Sequence, residues 1–387
     1  MKRSTNRILT THTGSIARPD DLLEVMRDKE NDRPYDREWF LNRAREAVIE
    51  AVHSQCDCGI DVVGDGEQGK SGFTSYQIER LSGFDALPPT ERPMSRSKEV
   101  QTFPEYYEKY MKTNMFGAML APQKSMVCTG PVKYIGREAL QTDLDNLKAG
   151  LQGQTYEEAF VSAANPANLA NQRNEYYKTR EEFLTALCDA MHEEYQAIID
   201  AGFIIQIDDP GAATLWNGTE LSPEELAKHI DARVETINYA IKGIPADRIR
   251  YHTCYSINQG PHIFDLHLKD FVRPMLRVNA DAISFEVMNP RHMHDYHTFE
   301  DVKLPEGKII IPGMVSHGAN WVEHPELIAE LTVNYAKLVG RENVMLGNDC
   351  GFASQAGARE VDPKVAWEKF RALAEGARIA SKRLWPN

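Results

Sequence analysis

An apolar, β-branched run, Phe203-Ile204-Ile205-Gln206-Ile207, ends in the polar sequence Asp208-Asp209-Pro210. A short apolar run that stops at a proline is typical of a buried β-strand. A helix pattern, with apolar residues at every third or fourth position, precedes this run over residues 180–201. A second helix pattern follows over residues 223–242, before the next strand candidate at residues 249–253. Strand, helix and strand in this order predict a β-α-β unit with two parallel strands.

The same alternation extends along the chain and sets the fold class. The strand candidates are residues 8–13, 61–65, 126–129, 203–207, 249–253, 282–286, 308–314 and 344–347. The clearest helices are residues 38–54, 180–201, 223–242, 325–338 and 363–384. Eight strands separated by helices predict an α/β fold of the (β/α)8 TIM barrel type, in preference to an open doubly wound sheet.

One segment, residues 71–123, breaks this alternation. It carries Pro88, Pro89, Pro93 and Pro104 and a tyrosine-rich piece, a composition typical of an elaborated loop. We therefore expect a single catalytic barrel spanning residues 1–387, with residues 71–123 inserted over the barrel mouth. A separate small domain at this place is the alternative.

The composition limits the partners. The 387 residues carry 44 basic and 57 acidic side chains, a formal charge of −13, which disfavours nucleic acid and anionic membranes. No apolar run approaches the roughly 18 residues that a membrane helix needs, and the polar N-terminus shows no signal peptide, so a cytoplasmic location is expected. Six cysteines in so long a chain are not a disulfide framework. The oligomeric state stays open, and a homo-oligomer is compatible with the sequence.

The sequence Tyr251-His252-Thr253-Cys254-Tyr255 ends one of the predicted strands. Alternate residues of a strand point the same way, so His252 and Cys254 project together. At the carboxyl end of a barrel strand they face the mouth, where active sites form. An imidazole and a thiolate side by side are half of a zinc site.

The other half of this site follows later strands. Cys350 comes just after the last predicted strand, and Glu286 ends the strand at residues 282–286. All four side chains then lie at one end of the barrel. The sequence predicts a Zn²⁺ site held by His252, Cys254 and Cys350 and joined by Glu286, with one coordination position open to substrate.

With these motifs the chain resembles the catalytic C-terminal barrel of cobalamin-independent methionine synthase. It is also similar to the shorter, single-barrel members of that superfamily, including epoxyalkane:coenzyme M transferase. The matching pieces follow the family's order and are Thr10-Thr11-His12-Thr13-Gly14-Ser15, Gly66-Glu67, Thr129-Gly130-Pro131-Val132, Gln206-Ile207-Asp208-Asp209-Pro210, His252-Thr253-Cys254-Tyr255, Phe285-Glu286, Gly313-Met314-Val315 and Asp349-Cys350-Gly351. They extend over nearly the whole chain.

The resemblance implies a zinc-dependent transferase that moves a methyl or other alkyl group to a small thiol. In this chemistry the zinc-bound thiol ionises at neutral pH, because the cation stabilises thiolate over thiol. The thiolate attacks an electrophilic carbon of the alkyl donor, and a general acid protonates the leaving group. The implied partners are a small-molecule thiol and an alkyl donor.

The resemblance also implies roles for individual residues. Thr13, Gly14 and Ser15 match the loop that holds the acid group of the thiol substrate. Glu67 and Asp208 match the carboxylates that bind its amino group, and Glu286 matches a weak or exchangeable zinc ligand. The predicted catalytic residues are Asp208 and the proton donor His317, although a strict alignment places Gly318 at the family's histidine position.

Two departures from the family concern the donor. Arg137 stands where the family has a tryptophan that stacks on folate, and Thr214 stands where it has a carboxylate that reads the pterin. These changes argue against methyltetrahydrofolate and leave a corrinoid, an aryl methyl ether or an epoxide. His292, His294 and His297 lie beside Arg291 after the sixth strand. They are interpreted as loop residues, with a donor-site or anion-binding role as the alternative.

Two acceptors compete. Glu67 and Asp208 favour homocysteine, because an ammonium needs such partners. The single-barrel length and the lost folate residues favour coenzyme M, with epoxide opening as the reaction. Its sulfonate would need a cation, and the candidates are Arg18, Lys70, Lys133 and Arg291.

The alternative to an enzyme is a non-catalytic zinc-binding protein. A structural zinc site is closed by four firm ligands, usually from paired-cysteine knuckles, and this sequence has none.

Overall fold

The protein is described by a computed structural model over residues 1–72, 75–87, 97–113, 119–121, 125–214, 221–256, 259–358 and 360–386. Its strands are β1 (Leu9–Thr10), β2 (Val62–Gly64), β3 (Phe84–Ala86), β4 (Met126–Cys128), β5 (Glu158–Ala164), β6 (Arg173–Asn174), β7 (Ile204–Asp208), β8 (Ile249–Thr253), β9 (Ala282–Phe285), β10 (Ile309–Pro312) and β11 (Met345–Leu346). Its α-helices are α1 (Asp20–Glu30), α2 (Arg37–Asp57), α3 (Ser75–Glu79), α4 (Lys98–Thr102), α5 (Pro104–Thr113), α6 (Arg137–Leu151), α7 (Arg180–Asp200), α8 (Gly211–Thr214), α9 (Pro223–Ala240), α10 (Leu268–Met275), α11 (Thr298–Asp301), α12 (Pro325–Val339) and α13 (Pro363–Leu384).

Eight of these strands close into a parallel barrel. Six pair in the order β2-β5-β7-β8-β9-β10, and β1 pairs with β11. Parallel bridges from Thr11 to Val62 and from Ile310 to Val344 join the two groups into one ring. The predicted TIM barrel is therefore confirmed, and its carboxyl-terminal mouth collects residues that follow several different strands.

The third barrel strand is not the one predicted from the sequence. The predicted strand at residues 126–129 corresponds to β4, which pairs with β3 and β6 in a small separate sheet. The barrel position is taken by β5, which lies between β2 and β7. The sequence of β5, Glu-Ala-Phe-Val-Ser-Ala-Ala, has one β-branched residue and three alanines. Its strand propensity is low, so barrel packing and not local preference makes it a strand.

The predicted insertion is described only in part. Residues 73–74, 88–96, 114–118 and 122–123, which include Pro88, Pro89 and Pro93, lie outside the described residues. Helix α5 contacts the loop after β8: the Tyr106 hydroxyl donates to the Gln259 carbonyl at 2.7 Å, and the Gln259 amide donates to the Tyr110 hydroxyl at 3.0 Å. The Ile263 amide donates to Glu99 of α4 at 3.0 Å. These contacts lie at the carboxyl-terminal end of the barrel.

Polar side chains cap several of the outer helices. The side chains of Asp36, Thr179 and Asp362 accept backbone N–H groups in the first turns of α2, α7 and α13. Ser222 and Glu225 form a reciprocal capping box at the start of α9. Each cap satisfies amides that have no partner inside the helix. Within the described residues, no helix combines the length and apolar character needed to cross a membrane.

The barrel interior is apolar at its floor and polar above it. The floor is a cluster of buried side chains that consists of Leu9, Val62, Phe160, Ile204, Ala282, Ile309, Ile311 and Met345. Above it lies the buried guanidinium of Arg250, 3.5 Å from the centre of the Phe160 ring. Its Nε donates to Gln206 at 2.6 Å and its Nη1 to Thr11 at 2.7 Å. Polar groups are therefore concentrated at the mouth.

Candidate active site

Three potential metal ligands meet at the mouth. The sulfur atoms of Cys254 and Cys350 are 3.3 Å apart, and His252 contributes a ring nitrogen to a group whose ligand atoms all lie within 4.8 Å of one another. All three residues are buried. Strand β8 supplies His252 and the residue just beyond its end, Cys254, on one face of the strand. Cys350 follows β11, which is the third strand beyond β8 in the ring.

This donor set fits a zinc ion. The Ser284 hydroxyl lies 3.0 Å from His252 Nδ1, while the buried Nε2 has no hydrogen-bond partner. A ring oriented through one nitrogen and unpartnered at the other is the usual arrangement of a metal-binding histidine. Two thiolates and an imidazole at these separations suit Zn²⁺, whose bonds of about 2.3 Å to sulfur hold two sulfurs about 3.8 Å apart.

The protonation of these groups is strongly biased by their surroundings. Burial and the positive charges of Arg250 and His317 lower the pKa of His252 to about 3, so the imidazole is neutral and able to bind a metal. The hydrogen bond with Cys350, burial and the negative charge of Glu286 raise the pKa of the Cys254 thiol well above its usual range. A cation beside the two sulfurs would reverse that effect on the thiols.

Glu286 belongs to a neighbouring acid–base group. Its carboxylate, the ring of His317 and the carboxylate of Asp349 have ligand atoms within 4.8 Å of one another. Glu286 Oε2 accepts the Tyr255 amide at 3.1 Å, so it lies close behind Cys254. Because the structure groups Glu286 with His317 and Asp349, its role as a fourth zinc ligand stays a prediction.

His317 has one engaged and one unpartnered nitrogen. Its Nε2 lies 3.0 Å from the Ser256 carbonyl oxygen, and because a carbonyl can only accept, Nε2 carries the hydrogen. The buried Nδ1 has no hydrogen-bond partner. Burial lowers the pKa of His317 below its usual value. Nδ1 is thus the nitrogen at which a proton could be taken up and given away.

A buried ion pair supports the loop that carries His317. The ammonium of Lys369, on α13, lies 2.9 and 3.0 Å from the two carboxylate oxygens of Glu323. Glu323 in turn accepts the Ser316 amide at 2.9 Å. Lys369 is fully buried. This pair positions the histidine loop from outside the barrel.

The loop Thr13-Gly14-Ser15 lies beside the residues after β11. The Thr13 amide donates to the Asn348 side chain at 2.7 Å, and the Ser15 hydroxyl lies 3.3 Å from that of Ser354. Gly14 has a φ of +135°, and a Cβ there would lie 2.8 Å from Glu67 Oε1. Only glycine tolerates both conditions. The loop therefore joins the Cys350 side of the mouth to Glu67.

Glu67 and Asp208 form a second pair of carboxylates at the mouth. Burial raises the pKa of both, and the negative charge of Glu67 raises that of Asp208 further. Gln206 donates to Asp208 at 2.7 Å, whereas Glu67 Oε2 is buried without a hydrogen-bond partner. The Glu67 backbone has a φ of +56°, a strained conformation for this residue type and one that is concentrated at functional sites.

The four candidate cations for a sulfonate differ in environment. Lys70 is buried, and its ammonium donates to the Ser162 carbonyl at 2.8 Å. Arg18 is buried and donates to the carbonyls of Glu67 and Lys70 at 2.7 and 2.8 Å. Lys133 and Arg291 are exposed. The two buried cations are thus committed to backbone carbonyls near Glu67.

The residues singled out for the donor differ in their surroundings. Arg137 starts α6 and forms an exposed ion pair with Glu193 of α7. Thr214 ends α8, and its hydroxyl donates to the Pro210 carbonyl at 3.0 Å. His292 is buried between Asp265 and Asp295, at 3.1 and 2.9 Å, and is no surface loop residue. His294 and His297 are exposed.

Sequence reasoning missed Asp349 and Ser284. Asp349 Oδ1 accepts the amides of Val287 and Met288, each at 2.8 Å, and Oδ2 is buried without a hydrogen-bond partner. Burial and the charge of Glu286 raise the pKa of Asp349 well above its usual range. The adjacent Cys350 could have drawn attention to Asp349. The period of two that pairs Ser284 with Glu286 could have indicated that Ser284 also faces inward.

A family model and the relatives of this chain among known proteins point to the same family. The family described as the catalytic domain of cobalamin-independent synthase matches residues 167–369, slightly more than half of the chain. The methionine synthase of Sulfurisphaera tokodaii is 25% identical over 97% of this chain and 93% of its own length. That of Saccharolobus solfataricus is 25% identical over 97% of this chain and 95% of its own length.

Solved structures support the same fold. A B12-independent methionine synthase from a Shewanella species, in complex with selenomethionine, has a TM-score of 0.70 at 20% identity, covering 98% of this chain and 99% of that one. A putative B12-independent methionine synthase from Listeria monocytogenes has a TM-score of 0.64 at 19% identity, covering 99% of this chain and 100% of that one. The overall fold is thus shared over nearly the full length of these chains.

Proposed function

The chain belongs to the cobalamin-independent methionine synthase family, and from that premise we propose that it is a zinc enzyme that methylates the thiol of homocysteine. The sulfur–carbon bond forms between the homocysteine sulfur and the methyl carbon. The bond between that carbon and the donor breaks, and its electron pair leaves with the donor. The donor is proposed to be other than methyltetrahydrofolate.

The observation that carries the choice of homocysteine is the unpartnered carboxylate oxygen of Glu67. It is buried near Asp208: burial raises the pKa of Glu67, and burial together with the negative charge of Glu67 raises the pKa of Asp208. An ammonium bound between them would offset both the burial and the repulsion. Homocysteine carries such a group, and coenzyme M does not.

The loop of residues 13–15 is proposed to bind the carboxylate of homocysteine. Within this loop the Thr13 amide donates to Asn348 at 2.7 Å and the Gly14 amide to His12 at 3.2 Å. The amide and hydroxyl of Ser15 are therefore the groups proposed to donate to a substrate carboxylate. The amino acid moiety would then be held by its carboxylate at this loop and by its ammonium at Glu67 and Asp208. The thiol side chain of homocysteine would extend toward Cys350, which lies two residues after Asn348, the residue that accepts the Thr13 amide.

The thiol end is proposed to meet His252, Cys254 and Cys350. Zinc held by these three residues would supply the charge that keeps the substrate sulfur ionised at neutral pH. Ser284 orients the His252 ring through Nδ1 and leaves Nε2 as the binding nitrogen. The burial of all three residues excludes water from the sulfur and so keeps it reactive.

Proton transfer is assigned to the group behind Cys254. The ligand atoms of Glu286, His317 and Asp349 lie within 4.8 Å of one another, a separation that a single bridging water could span for proton transfer. Nδ1 of His317 is the free position on the imidazole, because Nε2–H is donated to Ser256. His317 is proposed to protonate the departing donor at this atom, and Glu286 or Asp349 to resupply it.

Epoxide opening with coenzyme M is the weaker alternative. Chain length no longer favours it, because methionine synthases that align over nearly their full length have this same size. Arg18 and Lys70 are the buried cations near Glu67, and both already donate to backbone carbonyls. A sulfonate would also face two carboxylates.

Thermal denaturation with added thiols tests the proposal. Zinc-loaded protein should be stabilised by homocysteine and not by equal concentrations of coenzyme M. Glu67→Gln should abolish the homocysteine shift while zinc stays bound, because the isosteric amide loses the charge. Glu138→Gln is the matched control, because Glu138 is exposed and does not belong to the proposed site. Stabilisation by coenzyme M alone, or an unchanged homocysteine shift in Glu67→Gln, would overturn the assignment of the acceptor.

A further inference from the structure

A second group of potential metal ligands lies outside the barrel mouth. His267 precedes α10, and His294 and Asp295 lie in the loop that follows β9. Asp295 Oδ1 is 4.0 Å from His267 Nδ1 and 3.7 Å from His294 Nε2. The three ligand atoms all lie within 4.8 Å of one another. None of these residues belongs to the site proposed above.

We propose that His267, His294 and Asp295 bind a second divalent transition-metal ion. Two imidazoles and one carboxylate on one face form a donor set typical of Zn²⁺, Ni²⁺ or Co²⁺. The set contains no thiolate, which distinguishes it from the cysteine-based site. This site is independent of the proposed methyl transfer.

The carboxylate is held in place for such an ion. The Asp295 side chain is only 4% exposed, and its Oδ2 is 2.9 Å from His292 Nδ1 and accepts the Leu268 amide at 3.4 Å. His292 is itself fixed on its other side by Asp265, at 3.1 Å. With Oδ2 engaged from behind, Oδ1 is left facing the two imidazoles. A carboxylate fixed by outer partners is the arrangement that supports metal ligands.

The two imidazoles are partly exposed, and His267 forms a capping box with Asp270 at the start of α10. The side chain of His267 is 41% exposed and that of His294 is 59% exposed, and the rings meet edge to face with centroids 5.7 Å apart. Metal–nitrogen bonds of about 2.0 Å require the ligand atoms to approach by roughly 0.5–1 Å from their present separations. Rotation of two surface side chains supplies this without moving the backbone.

The surrounding cleft favours a cation. It has a volume of about 570 Å³. Three carboxylates line it, from Asp295, Glu300 and Asp301, against two cationic side chains, Lys269 and Arg273. The local charge with neutral histidines is therefore negative, which attracts a dication. The cleft is open to water, which would fill the remaining coordination positions.

A metal ion bound at His267, His294 and Asp295 would link two segments of the chain that contact residues of the active site. The ion would connect the start of α10 to the loop after β9. From Asp295 the contacts continue through His292, whose ring stacks on Tyr255 with centroids 4.0 Å apart, and the Tyr255 amide is bound by Glu286. An ion at this position should therefore raise the thermal stability of the folded chain.

Cobalt titration of the full-length, zinc-loaded protein tests the site. One additional Co²⁺ per chain should bind, measured by equilibrium dialysis and elemental analysis, and the melting temperature should rise. Its absorption spectrum should lack the intense near-ultraviolet thiolate-to-cobalt charge-transfer band that a cysteine site gives. His267→Ala and His294→Ala should each weaken this binding by roughly tenfold or more and lose the rise in melting temperature.

His297→Ala is the matched control. His297 lines the same cleft and is equally exposed, but its ring pairs with Glu300 at 2.7 Å and stands outside the ligand group. This variant should bind the additional ion as the unmodified protein does. All three variants should melt at the unmodified temperature without added cobalt, which excludes misfolding. The proposal is overturned if no additional ion binds at about 1 mM Co²⁺, or if His294→Ala binds it unchanged. It is also overturned if the bound cobalt shows the thiolate band.

Discussion

The sulfur atoms of Cys254 and Cys350 lie 3.3 Å apart although 96 positions separate them in the chain. Cys254 follows β8 and Cys350 follows β11, three strands further along the sheet, so the curvature of the barrel brings them together. Two ionised sulfurs at this distance repel strongly in a buried site. Nε2 of His252, which has no hydrogen-bond partner, lies in the same group of ligand atoms. A cation bound by this nitrogen and the two sulfurs would offset the repulsion between the sulfurs.

Zinc retention should depend on both cysteines. Cys254→Ser and Cys350→Ser should each lose most of the tightly bound zinc, because a neutral hydroxyl replaces a charged, soft ligand. Cys188→Ser is the control, since Cys188 is equally buried but lies on α7 beside the Thr236 carbonyl. Elemental analysis after dialysis measures the content. Full zinc occupancy in both site variants would show that the ligands are misassigned.

Asp208→Asn should separate the two acceptors. An ammonium about 4 Å from a carboxylate gains on the order of 4 kcal/mol at an effective dielectric of about 20. Because Glu67 remains, we expect the KM for homocysteine to rise by about ten- to a hundredfold, with zinc still bound. With coenzyme M the same change should do little harm or even help, since one repelling charge is gone.

Steady-state kinetics with both thiols measures this difference. Asp200→Asn, at the end of α7 and hydrogen-bonded to Gln196, is the control. Equal and small effects on both thiols would mean that Asp208 does not contact the acceptor.

Methyltetrahydrofolate should be a poor donor. The resemblance aligns Arg137 and Thr214 with the family's folate-stacking tryptophan and pterin-reading carboxylate, and Arg137 forms an ion pair with Glu193. Methionine formation from homocysteine should therefore stay near background with this donor. A methyl-corrinoid assayed in parallel tests another donor class. Robust turnover with the folate would show that the positional assignment of these two residues is wrong.

His317→Asn should slow turnover without releasing zinc. Losing a general acid costs typically about 10²–10⁴-fold in kcat, while the KM for homocysteine should change little. The exposed His297→Asn is the control. Donors with more stable leaving groups should be less affected, because they need less help from an acid. A kcat unchanged from that of the unmodified protein would remove His317 from the mechanism and leave Glu286 or Asp349 as the donor of the proton.

Much of the barrel could be predicted from local patterns. Seven of the eight barrel strands were indicated by short apolar runs, because a strand buried on both faces needs a continuous apolar sequence. The eighth, β5, could not be predicted, since its alanines and single valine carry little preference for a strand. Its place is decided by pairing with β2 and β7 on either side. Conversely, β4 has a strand-like sequence but pairs outside the barrel.

By itself, the sequence determined which side chains project from the same face of a strand. The spacing of His252 and Cys254 on one strand puts both toward the mouth whatever the neighbours are, because alternate residues of a strand point the same way. Only the tertiary structure decided that Glu286 groups with His317 and Asp349, that Glu67 keeps an unpartnered oxygen near Asp208, and that His294 meets His267. These relationships join segments far apart in the chain. They depend on barrel closure and on how much water each group loses, which no local pattern encodes.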